Sequence, residues 1–116
     1  MKKNKIRFKK GRCIYATYYD VSCDSGSIRL WIEDKNPREL FLSNLIVQPA
    51  ERRKGIGQQL LDYSEVAAHK LGLKRIALKV LKDSWMEDWY KRKGYLEDYV
   101  WDEKERLVKY LHKDLK

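Results

Sequence analysis

The sequence predicts a single α/β domain over residues 1–116, built as one mixed sheet with two helices. An antiparallel meander comes first, then a parallel βαβ unit, then a closing hairpin. Two observations predict this. The apolar residues follow strand-like patterns up to Val47, change to a helical period after Arg52, and return to a strand-like run from Arg75. A chain of 116 residues is also enough for one compact core and too short for two.

Arg12 to Val21 is rich in β-branched and aromatic residues and reads as the first strand. Ser22 to Ser27 has turn chemistry. Ile28, Leu30 and Ile32 alternate with Arg29, Trp31 and Glu33, a half-buried strand. Asp34-Lys35-Asn36-Pro37 makes the next turn, and Glu39 to Val47 is a third strand. From Arg52 the apolar residues Ile56, Leu60, Tyr63, Ala67 and Leu71 line one helix face, which Gly72 ends. Arg75 to Leu81 returns to strand, and the strand–helix–strand order implies parallel pairing with a right-handed crossover. Asp83 and Ser84 cap a short helix that runs to Arg92 and stops at Gly94. Tyr95–Trp101 and Leu107–Leu115 make the closing hairpin, while the residues before Arg12 show no helical pattern.

Lys and Arg number 26 against 17 acidic residues, a net charge of +9. That excess speaks to partners rather than fold: phosphate-rich cofactors, nucleic acid or acidic proteins. The basic residues are spread along the chain, which disfavours a dedicated nucleic-acid domain. Met1 is followed by Lys2, Lys3, Asn4 and Lys5 with no apolar run, and no stretch is apolar enough for a membrane span. A cytoplasmic chain is expected, with Cys13 and Cys23 as free thiols. Cys13, Cys23, His69 and His112 have no metal-site spacing, so no metal is expected.

The chemistry concentrates at Arg52-Arg53-Lys54-Gly55-Ile56-Gly57-Gln58, between a strand and a helix. A helix start leaves amide groups unpaired and carries partial positive charge. Glycine lets a ligand approach the backbone, and Arg52, Arg53 and Lys54 add formal charge. Such a turn suits a pyrophosphate. No Gly-Lys-Ser/Thr follows, which excludes a P-loop, and Leu60 stands where a dinucleotide-binding fingerprint needs its third glycine.

With Leu45-Ile46-Val47-Gln48-Pro49 before the turn and Trp89-Tyr90-Lys91-Arg92-Lys93-Gly94-Tyr95 after it, the sequence resembles the GCN5-related N-acetyltransferase (GNAT) superfamily from residue 39 to 115. The resemblance implies a splayed sheet and acetyl-CoA as co-substrate. The pantetheine arm would lie along Leu45, Ile46 and Val47, and the pyrophosphate on Arg52, Arg53, Lys54, Gly55, Ile56, Gly57 and Gln58. A further coenzyme contact would fall at Asp83 and Ser84, where the family often has Asn. Tyr90 would donate a proton to the leaving thiolate, a role that suits a neutral phenol.

The implied reaction is direct attack of a primary amine on the acetyl group. Only about one lysine-like amine in 2,500 is neutral at pH 7, so a base is needed. Glu39 is the candidate, with Glu33 as a weaker rival. The family's glutamate on this strand aligns with Phe41, and its alternative on the next strand aligns with Lys79. The family's two N-terminal helices, which wall the acceptor site, have no counterpart here. That implies an open groove for a polypeptide or other large acceptor, or a groove completed in a homodimer. Two other readings compete: a coenzyme A-binding module without turnover, and a basic nucleic-acid or ribosome-associated protein.

Overall fold

The computed structural model describes residues 5–115; the Lys2-Lys3 pair lies outside them. Seven strands and two helices follow in order. They are β1 (Arg7–Arg12), β2 (Ala16–Cys23), β3 (Gly26–Glu33), β4 (Glu39–Val47), α1 (Ile56–Lys70), β5 (Arg75–Leu81), α2 (Trp85–Arg92), β6 (Leu96–Glu103) and β7 (Arg106–Asp114). They form one sheet in the order β1-β2-β3-β4-β5-β7-β6. The pairings are antiparallel except β4 with β5, which run parallel across the α1 crossover.

The expected strand from Arg12 to Val21 is corrected to two elements. β1 ends at Arg12, the chain turns through Cys13 to Tyr15, and β2 begins at Ala16. β1 leaves no apolar signature because it lies at the sheet edge with nearly all its residues exposed. Gly11 is needed there, since a Cβ would fall 2.2 Å from the Tyr18 ring carbon Cζ. The helix expected from Arg52 starts instead at Ile56; Pro49–Glu51 forms a separate 3₁₀ turn. Glu39–Val47 and Arg75–Leu81 are strands with the expected limits. Cys13 and Cys23 are free thiols.

Both helices pack on one face of the sheet. Leu60 and Leu61 of α1 and Tyr90 of α2 share a core with Leu30, Leu40, Leu78 and Leu111. Burying each such side chain contributes roughly 2 kcal/mol. The expected capping at Ser84 is present: its hydroxyl accepts from the Glu87 amide, while Glu87 accepts in return from the Asp83 amide at 2.8 Å. Glu87 is itself buried and pairs with Lys109 of β7 at 2.8 Å and Lys91 at 2.7 Å. These partners hold its carboxyl down at about 2 despite the opposing effect of burial. The network fastens α2, and with it Tyr90, onto β7.

Trp31, Phe41 and Tyr110 face the other side of the sheet, where no helix lies among the described residues. None of the described helices is long and apolar enough to cross a membrane.

Candidate functional site

β4 pairs with β5 only from Glu39 to Leu42, opposite Arg75 to Leu78. On its other side it stays paired with β3, but the register slips: Ser27 faces Ile46 while Arg29 faces Ser43. Two steps along β3 therefore match three along β4. The surplus residue falls at Asn44–Leu45, and Asn44 has a left-handed φ of 54°. Such a bulge bends a strand. Around it, from Ser43 on, β4 parts from β5 and a cleft of about 230 Å3 opens. Ser43, Asn44 and Leu45 line one wall, Lys79 lies on the other, and Met86 and Tyr90 come from α2. From Ser43 onward the β4 edge toward β5 has no strand partner.

The start of α1 adjoins the far end of β4, where Val47 lies beside Gly57. Gly55 caps that helix with a φ of 81°, a conformation that favours glycine, and no side chain caps it. The first-turn amides of Ile56, Gly57 and Gln58 thus lack intrahelical acceptors. A Cβ at Gly57 would meet the Trp89 ring at 3.7 Å and Val47 at 3.8 Å, both ordinary contacts, so the fold alone would accept a side chain there. The charged residues of the turn are partly engaged. Arg52 Nε donates to the Val47 carbonyl at 3.0 Å, which ties the turn to the end of β4. Lys54 pairs with Glu51 at 3.3 Å, and the Gln58 amide donates to Asp62 at 2.6 Å. Arg53 takes a left-handed φ of 65°. Ile46 is largely exposed, and Val47 is packed against the core.

Tyr90 is 3% exposed, and its ring meets Trp89 and Tyr95 edge-on at 4.9 and 5.4 Å. Burial pushes its phenol well above the ordinary range, so it stays protonated at neutral pH. None of the described residues hydrogen-bonds its hydroxyl. A protonated donor therefore borders the cleft without an internal acceptor.

Other expected residues lie elsewhere. Glu39 sits three residues before Leu42, about 10 Å along the strand from the start of the cleft, in the paired half of β4. Glu33, at the end of β3, is also absent from the lining. Asp83 is exposed and paired with Lys82, while Ser84 is committed to capping α2. Sequence reasoning did not find Asn44 or Met86, because both enter the site through the bulge and the seat of α2. Lys79 was noted only as a departure from a family pattern. In the structure it lines the cleft and holds both carboxylate oxygens of Glu103, at 2.8 and 2.9 Å.

A strand pair that parts at a bulge, above a helix start free to hold an anion, is the arrangement expected of an acyl-coenzyme A enzyme. The chain belongs to the GNAT family: the acetyltransferase (GNAT) domain matches residues 10–97. Among solved structures, an acetyltransferase from Bacillus subtilis in complex with CoA superposes with a TM-score of 0.72 at 18% identity, over 97% of this chain and all (100%) of that one. An acetyltransferase from Bacillus cereus is 27% identical with a TM-score of 0.66, over 78% of this chain and 63% of that one. The ribosomal-protein-S18-alanine N-acetyltransferase from Escherichia coli gives 0.70 at 15% identity, over 89% and 71%. Comparison with curated proteins finds no match.

Proposed function

We propose that this chain is an N-acetyltransferase that passes the acetyl group of acetyl-CoA to a primary amine by direct attack. The observation that carries this reading is the cleft itself, with a protonated tyrosine on its lining, and beside the end of β4 a helix start with no side-chain cap. The residues present fit the coenzyme. Unpaired β4 groups at Leu45, Ile46 and Val47 suit the pantetheine amides, and the amides of Ile56, Gly57 and Gln58 suit the pyrophosphate. Bound acetyl-CoA would supply an activated acetyl group as its thioester. Tyr90 gives its proton to the departing thiolate as the acceptor nitrogen forms the new bond to the acetyl carbon. The proton lost by the acceptor passes to water, from which Tyr90 regains its own, since no carboxylate among the described residues lines the cleft.

The acceptor is a polypeptide amine. The helix-free sheet face beside the cleft leaves room for a chain, and a net charge of +9 disfavours polycationic acceptors. The test is thiol release from acetyl-CoA across a panel of peptide and small amines, run beside a thermal shift. Acetyl-CoA in large excess over its Kd raises stability by about 3 kcal/mol. No shift with either CoA or acetyl-CoA sinks the reading. A shift without thiol release favours the second reading, a coenzyme A-binding module without turnover, which the missing carboxylate supports.

A further inference from the structure

The two edges of the sheet carry opposite charge. β1 (RFKKGR) holds four cationic residues and no acidic one, while β6 (LEDYVWDE) holds four acidic residues and no cationic one. Each strand has a single neighbour, so each presents one unpaired backbone edge. β6 is also unusually apolar for an edge, with Leu96 60%, Tyr99 54% and Trp101 58% exposed. Exposed edges of that kind are normally covered.

We propose that copies of this chain associate head to tail, β6 of one adding to β1 of the next. The strand directions allow it without inverting either copy. β2, β3 and β4 alternate in direction from β1, β5 follows β4, and β7 and β6 alternate again. β6 therefore runs opposite to β1. Two copies side by side in the same orientation bring these edges together as an antiparallel pair, with their helices on the same face.

The side chains then match by face. Phe8 and Lys10 are on the helix side, opposite Val21 and Tyr19. Phe8 there borders an apolar groove of about 220 Å3 that also includes Tyr63, Val66 and Leu71. Val100 and Asp102 of β6 share that side. With Arg7 opposite Glu103, Lys10 falls opposite Val100 and Phe8 opposite Asp102, so Lys10 and Asp102 are diagonal neighbours. On the opposite side, Arg7 and Lys9 meet Trp101 and Glu103.

Lys9, Lys10 and Asp102 have no ion-pair partner among the described residues. Arg7 and Arg12 are tied to Asp24 and Asp34 in exposed pairs that exchange at little cost. Glu97 and Glu103 of β6 are paired within the chain to Lys109 and Lys79, and Asp98 lies against His112, so Asp102 is the β6 carboxylate left to meet β1. The head-to-tail contact leaves a free β1 and a free β6 at its ends, so association passes beyond a dimer into a ring or short chain.

The test is mass by light scattering on the full chain, over a range of concentration and salt. The expected mass rises past the dimer at low salt and returns to the monomer at high salt. Two variants, Lys9→Glu/Lys10→Glu and Val100→Lys/Asp102→Lys, are each expected to be folded monomers by circular dichroism. Mixed in equal amounts they associate again, because the first retains an acidic β6 and the second a basic β1. A monomer at every concentration overturns the proposal. So does a species that stops at the dimer and ignores both variants, or one that assembles only when RNA is added.

Discussion

The two halves of β4 make the most instructive comparison in the molecule. From Glu39 to Leu42 the strand is paired on both sides, and Leu40 and Leu42 are buried. From Ser43 to Val47 it is paired only with β3, and Asn44 and Ile46 are exposed. One continuous strand thus changes from a member of the sheet paired on both sides to the wall of a cleft. The left-handed Asn44 lies in the second half, two residues past the last pairing with β5, and bends the strand there.

The largest effect should come from the splayed half. Tyr90→Phe is expected to slow thiol release about 100- to 10,000-fold while coenzyme A affinity stays within twofold. Equal losses in both would show that the ring packs and does not donate. The paired half should answer only in stability. Leu40→Ala removes a fully buried side chain and is expected to cost about 3 kcal/mol in urea unfolding. Coenzyme affinity per folded molecule should not change.

Acid sharpens the contrast further. Glu87 is held at about 2 in the folded protein, against an ordinary value of 4.5. A lowered carboxyl stabilises above its unfolded pKa and loses that contribution as pH falls through the folded one. Roughly 3 kcal/mol should therefore fade between pH 4.5 and 2, and Glu87→Gln should flatten that fall. The smallest effect belongs to Gly57→Ala. Unfolding should move by less than about 0.5 kcal/mol, because the new methyl makes ordinary contacts. Coenzyme A affinity should drop about tenfold, equivalent to about 1.4 kcal/mol.

Legibility in the sequence followed locality. The limits of β4 and β5 were readable because their apolar runs end in charge or turn chemistry. The glycine turn was readable because its requirements lie within seven residues. The edge strand β1 was not, since an element exposed on both faces needs no apolar pattern. The start of α1 was misplaced because Arg52, Arg53 and Lys54 suit a helix, and the extended backbone at Arg52 with the left-handed φ at Arg53 and Gly55 excludes them. Glu39 looked suitable because it shares a face with Ser43. Its distance from the cleft depends on where pairing with β5 stops, a property of two strands together. The Lys79–Glu103 pair joins residues 24 apart in sequence and has no local mark.

The contact between Trp89 and Gly57 gives the cleft a property that neither end has alone. Trp89 rests beside the glycine turn, and the next residue in the chain is Tyr90, whose ring meets it edge-on. The turn and the tyrosine are therefore two jaws of one caliper, joined through a single indole. In the proposed reaction, the pyrophosphate and thioester ends of one coenzyme would thus meet two residues that touch the same ring.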